Sequence, residues 1–168
     1  MYSTMDTPTG PLTIVARDGA VLAAGFTADV DDLIGLVHPD LRAGAIDAPA
    51  DLDLIMKATG AYFDGDLTAI DAVEVRQRSG GAFLSHAWDV LRTVEPGGPV
   101  TYTGYADRSG RPAAVRAAAQ ACARNAAALF VPCHRVVRTD GGLGGYRWGI
   151  HVKQWLLAHE RQDVKTRW

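Results

Sequence analysis

Apolar and polar positions between residues 10 and 26, "GPLTIVARDGAVLAAGF", fall into two β-like runs on either side of Asp18-Gly19. An Asp-Gly pair accepts the positive φ values of a tight two-residue turn, so the stretch predicts a β-hairpin. "DVDDLIGLVHP" predicts a short helix stopped by Pro39, and "DLRAGAIDAPA" a loop. From 49 to 66, apolar residues at 54, 55, 58, 61 and 62 recur at helical spacing, with Gly65 just past the end. "LTAIDAVEVRQR" reads as a strand with Val73 and Val75 on one face, and "SGGA" (79–82) as a linker.

Beyond the linker the period becomes helical. "FLSHAWDVLRTV" puts Phe83, Ala87, Leu91 and Val94 on one face, and "EPGGP" ends the run. Residues 101–125 predict two helices about a tight break at Ser109-Gly110-Arg111, with Pro112 in the first turn of the second; this is helix-turn-helix spacing. "HVKQWLLAHE" (151–160) places Val152, Trp155, Leu156 and His159 at helical spacing.

Charge sharpens the division. Residues 1–82 hold 5 basic and 13 acidic side chains, a net of −8; residues 83–168 hold 12 and 6, a net of +6. A basic, arginine-rich second half suits a polyanion. Its second predicted helix carries alanines at 113, 114, 117, 118, 119, 121 and 123, more than one buried face can hold. Some must face outward beside Arg116 and Arg124, where a smooth surface can approach a sugar-phosphate wall. The alternative is close helix packing alone. A hydrophobic fraction of 48% supports a genuine core. The sequence predicts a soluble protein with no signal peptide and no membrane partner. Two cysteines form no disulfide framework and, with scattered histidines, no four-ligand zinc pattern, so no metal or cofactor is expected and the cytoplasm is the expected setting.

The candidate chemistry lies in "LFVPCHRVVRTDGG" (129–142). A thiol is a nucleophile as thiolate, and His134 beside Cys133 is the obvious base. Adjacent side chains on a strand point to opposite faces, so a Cys133–His134 contact needs a local turn or a bridging water. The base also wants a partner to fix its tautomer, and Glu160 and Asp140 are available in this half. The residues alone leave open a buried core cysteine beside a surface histidine.

"PCHRVV" (132–137) resembles the active-site motif of the O6-alkylguanine-DNA alkyltransferase family (methylated-DNA–protein-cysteine methyltransferases). "VTYTGYADRSGRPAAVRAAAQACARN" is similar to that family's helix-turn-helix, "GYRWG" (145–149) and "LLAHE" (156–160) to its lid and closing helix, and "TPTGPLTIVA" and "YFDGDLTAID" to stretches of its N-terminal domain. The "GYRWG" lid motif resembles that of the alkyltransferase half of the bacterial Ada regulator. The resemblance implies an α/β fold: a small ribonuclease H-like sheet domain over 1–80, and a mainly helical DNA-binding and reactive domain over 83–168. It implies irreversible transfer of an alkyl group from O6-alkylguanine, and from O4-methylthymine, in duplex DNA to Cys133. The helix-turn-helix would enter the minor groove, the damaged base would be flipped out, and one molecule would act once, as a monomer or cooperatively along DNA.

The implied roles follow the motif positions. Cys133 is the nucleophile, held ionised in a cleft sized for an extruded purine. His134 takes the thiol proton through a water, and Glu160 orients His134. Tyr102 donates to guanine N3 and crowds the backbone phosphate, while Arg116 fills the vacated stack. Asn125 ties the recognition helix to the reactive loop, and Ala114 and Ala117 face the groove. The Val136 carbonyl accepts from the guanine amino group. Tyr146 and the Arg147 amide belong to the lid, the latter near O6. Trp148, where many members carry a small residue, is expected to narrow the pocket against groups as large as benzyl. The alternatives are a Cys-His hydrolase, a non-catalytic alkylated-base-binding module and a plain helix-turn-helix regulator.

Overall fold

A computed structural model describes residues 1–42, 49–79 and 81–166. Part of the predicted loop, residues 43–48, and Gly80 of the predicted linker lie outside the described residues. The chain divides into two compact units: Met1–Arg78 with Ala126–Phe130, and Ser79–Asn125 with Val131–Trp168. Residues 126–130 thus cluster with the first unit although they interrupt the second in sequence.

The first unit is built on a four-stranded sheet in the order β1 (Tyr2–Thr7), β2 (Gly10–Arg17), β3 (Ala20–Gly25), β4 (Glu74–Val75). The first three strands form an antiparallel meander, and β4 returns parallel to β3 after a helical crossover. The predicted hairpin forms with Arg17 opposite Ala20, and Asp18 and Gly19 take φ values of 50° and 75°, as a type I′ turn demands. β1 was not legible as a strand. It is a polar edge with half its positions exposed, the usual way an edge avoids pairing with a neighbour.

Three helices complete the unit: α1 (Asp31–Ile34), α2 (Pro39–Arg42) and α3 (Pro49–Phe63). Pro39 does not stop a helix; it begins α2, at the position where a missing N–H leaves no bond unmade. The buried face of α3 is Leu52, Ile55, Thr59 and Tyr62, while Leu54 is 68% exposed. Thr59 can occupy that face because its hydroxyl donates to the Ile55 carbonyl at 2.7 Å. Gly65, at φ 111°, closes the helix C-terminus as expected. The strand predicted across 67–78 is confined to Glu74–Val75; Leu67 and Ile70 are buried from turns instead.

The second unit is mainly helical: α4 (Ala82–Leu91), α5 (Tyr102–Arg108), α6 (Val115–Ala123) and α7 (Ile150–Thr166), with a short parallel pair, β5 (Val100–Thr101) and β6 (Val136–Val137). Thr101 caps α5 by accepting from the Gly104 amide at 3.0 Å. The predicted break falls at Ser109–Arg111, with Gly110 at φ 85°. Pro112 is not in the first turn of α6, however. A turn closed by the Ala114 amide on the Arg111 carbonyl delays the helix to Val115. Trp88 of α4 donates from Nε1 to the Ala121 carbonyl at 2.9 Å, and the Tyr105 hydroxyl to the Ala87 carbonyl at 2.7 Å. Each large aromatic thereby buries its ring and satisfies its polar atom. The architecture is the mixed α/β one expected.

Candidate active site

Pro132 (φ −83°, ψ 65°) turns the chain into a single 3₁₀ turn, Cys133–Arg135, that leads directly into β6. The turn thus falls on the Cys-His pair itself. It leaves Cys133 half-buried and His134 fully buried. Pairing of β6 with β5 is what brings the reactive turn beside Tyr102, the residue that follows β5.

His134 is not a surface residue. Its Nε2 lies 2.7 Å from Glu160 Oε1 on α7. Arg135 grips the same carboxylate, with Nη2 2.9 Å from Oε1 and Nε 3.1 Å from Oε2, and its Nη1 donates to the Val94 carbonyl at 2.6 Å. All three side chains are buried. Burial alone would raise the Glu160 carboxyl, but His134 and Arg135 outweigh it and hold the group at about 2. For His134 burial wins: despite Glu160, its pKa is lowered, and Arg135 and Lys153 push the same way. The imidazole is therefore neutral near pH 7 and available as a base. With Nε2 facing Glu160, a neutral ring places its proton there and leaves the Nδ1 lone pair free. Nδ1 is buried without a hydrogen-bond partner among the described protein atoms.

Burial is the largest influence on Cys133 and pushes its thiol up; a hydrogen bond from Asn125 and the charges of Lys153 and Arg147 offset this only in part. The expectation of a resting thiolate is thus corrected. The thiol is protonated until something removes its proton, because desolvation disfavours the anion more than its neighbours favour it. Asn125 is buried and also donates from Nδ2 to the Val131 carbonyl at 2.7 Å, which joins the segment just past α6 to the approach to Cys133.

Two functional candidates were missed. Arg135 sits inside the motif but carried no assigned role. Lys153 is fully buried, its Nζ donating to the carbonyls of Val136 (2.7 Å) and Gly145 (3.2 Å). Their signal was available: Lys153 and Glu160 share a helical face with Leu156 and Leu157, and charges on an apolar stripe need a reason. The predicted stripe through Trp155 and His159 is offset by one position. Those two rings are half-buried and stack on each other at 4.7 Å.

Tyr102 is half-buried, and burial, then Cys122 and Cys133, raise its phenol to about 12, so it remains a donor. Tyr146, expected to belong to a lid, has a phenol that burial pushes well up, and its hydroxyl has no partner among the described protein atoms. The Val136 carbonyl, expected to receive a guanine amino group, already accepts from Lys153, leaving one lone pair. The Arg147 side chain donates to the Ala123 carbonyl at the end of α6 at 2.5 Å. Trp148 is half-buried. Along α6 and its approach, Arg116 is exposed, Ala114 and Ala117 are half-buried, and Ala118 and Ala121 are buried. Asp140, the other carboxylate considered for His134, pairs with Arg138 instead. Among the described residues no cluster of His, Cys, Asp or Glu could hold a metal, and no helix is long and apolar enough to cross a membrane.

Residues 82–162 match the family model for the DNA-binding domain of 6-O-methylguanine DNA methyltransferase. The chain is 35% identical to the bifunctional transcriptional activator/DNA repair enzyme Ada of Escherichia coli, over 96% of this chain and 46% of that one, so it spans about half of that relative's length. It is also 35% identical to the methylated-DNA–protein-cysteine methyltransferase of Mycolicibacterium paratuberculosis, over 96% of this chain and 92% of that one. The crystal structure of Mycobacterium tuberculosis OGT in complex with DNA superposes with a TM-score of 0.80 at 32% identity, covering 96% of this chain and 93% of the other. With Cys133, His134 and Glu160 on this fold and a methyltransferase relative matched over 92% of its own length, the chain belongs to the methylated-DNA–protein-cysteine methyltransferase family.

Proposed function

We propose that this protein repairs O6-alkylguanine, and O4-methylthymine, in duplex DNA by moving the alkyl group onto Cys133, once per molecule, as a monomer in the cytoplasm. The observation that carries the reading is the buried Arg135–Glu160–His134 relay, which ends at an imidazole Nδ1 without a partner among the described protein atoms, one residue from a half-buried thiol. A resting thiol and a resting base suit a reagent that must not react before its substrate arrives.

The damaged base is extruded from the minor groove into the second unit, with Arg116 in the vacated stack and Ala114 and Ala117 against the groove wall. His134 Nδ1 takes the Cys133 proton through one water. Sγ attacks the alkyl carbon, the carbon–O6 bond breaks, and guanine leaves with the electron pair. Glu160, ionised across the whole neutral range, stabilises the imidazolium, and Arg135 keeps that carboxylate aimed. Tyr102 donates to guanine N3 as charge develops there, where a fixed donor lowers the barrier. Asn125 orients the thiol, the Val136 carbonyl and the Arg147 amide read the base edge, and Tyr146 and Trp148 close the pocket. A thioether offers no leaving group, so the product is final.

The test is stoichiometry. Excess duplex containing O6-methylguanine should yield one repaired base per protein molecule and then no more. Continued turnover would return the site to the hydrolase reading, and tight binding without transfer to the binding-module reading.

A further inference from the structure

A groove of about 540 Å³ on the second unit is lined by Tyr102, Arg138, Gly142, Leu143, Gly144 and Ile150. Glycine shapes it. A β-carbon on Gly144, whose φ is already 75°, would lie 3.2 Å from the Tyr102 ring and hydroxyl and 3.5 Å from Arg138 Cγ. One on Gly142 would lie 3.1 Å from Asp140 Oδ1 and 3.4 Å from Arg138 Cδ. The two glycines therefore let a phenol and a guanidinium share one cradle.

The charges in this cradle are not equally committed. Asp140 is tied to its own loop, Oδ1 accepting from the Gly142 amide at 2.9 Å. The Arg138 guanidinium is held by Asp140 Oδ2 at 2.8 Å, in a pair whose side chains are 61% and 60% exposed. A pair so open is held weakly, and a phosphodiester can replace the carboxylate on a planar guanidinium. Nothing in the repair reading uses Arg138.

We propose that Arg138 is a phosphate clamp. It grips the phosphodiester beside the extruded nucleotide, opposite the Tyr102 hydroxyl, with the sugar lying against the backbone at Gly142 and Gly144. Asp140 holds the guanidinium in place and yields it when the phosphate arrives. The inference rests on the repair reading, and it extends that reading by giving the displaced phosphate a specific cationic ligand.

The experiment measures duplex binding against salt concentration, and single-turnover transfer from O6-methylguanine both in duplex DNA and as the free base. Arg138→Gln should weaken duplex binding about three- to tenfold at moderate salt and flatten the log–log salt slope by about 0.9, the signature of one lost phosphate contact. Its transfer from duplex at subsaturating protein should fall several-fold more than its transfer from the free base, which has no phosphate. Arg138→Lys should recover part of the loss, and Asp140→Asn should tighten binding by freeing the guanidinium. An unchanged salt slope, weaker binding by Asp140→Asn, or an equal loss on duplex and free base would overturn the clamp. A wild-type protein that binds with this Arg138-dependent slope yet transfers no methyl would overturn the repair reading and leave the clamp standing.

Discussion

The first unit holds its sheet and long helix together with hydrocarbon. Leu12, Ile14, Val21, Leu22, Ile55 and Tyr62 are buried, and its buried polar side chains among the described residues are two threonines with satisfied hydroxyls, Thr13 and Thr59. The second unit buries His134, Arg135, Lys153 and Glu160. Taking charges out of water opposes folding unless the pairing is close and complete, and an apolar replacement often stabilises a fold more than a buried ion pair does. One unit is thus organised for stability, and the other carries a costly network, which the proposed proton transfer from Cys133 would explain.

The largest test of this contrast is Glu160→Ala. It strands Arg135 and leaves His134 Nε2 unpaired, and should destabilise the protein by about 3–5 kcal/mol in chemical denaturation while removing methyl transfer. Its counterpart in the first unit is Leu12→Ala. Stability should fall by about 3 kcal/mol, yet transfer per folded molecule should stay at the wild-type rate. A Leu12→Ala protein that remained folded but lost transfer would erase the distinction between the units.

Acid should separate the units more gently. The pKa of His134 is lowered in the folded state, so its contribution to stability is complete above the ordinary histidine value of about 6.5 and declines as pH falls below it. Glu160, depressed to about 2, contributes above the ordinary carboxylate value of about 4.3, and that contribution is lost as pH falls towards 2. Wild type should lose stability from about pH 6.5 downwards, and His134→Gln should lack the upper part of that decline. The smallest effect belongs to Thr101→Ala, which removes the α5 cap beside Tyr102 at about 1 kcal/mol.

How much could be read beforehand follows the same physics. The hairpin was legible because Asp18-Gly19 is a local signal. β5 and β6 were not, since a two-residue pairing between Val100 and Val136 leaves no period to detect. The face of α7 was misplaced because the pattern assumes that charged residues point outward, and Lys153 and Glu160 do not. Cys133 and His134 stood out as an adjacent pair and Glu160 as one of two available carboxylates, but only resemblance to a motif joined them in one site, since no spacing rule links residues 26 apart. The protonated state of the thiol is a property of its surroundings, and no dipeptide carries it.

The most direct test of the account is intact mass and peptide mapping after incubation with duplex DNA containing O6-methylguanine. The account predicts a gain of one methyl group per protein molecule, located on the peptide holding Cys133, and no gain in Cys133→Ser. A methyl group on Cys122 or elsewhere, or repair without any gain in protein mass, would contradict it.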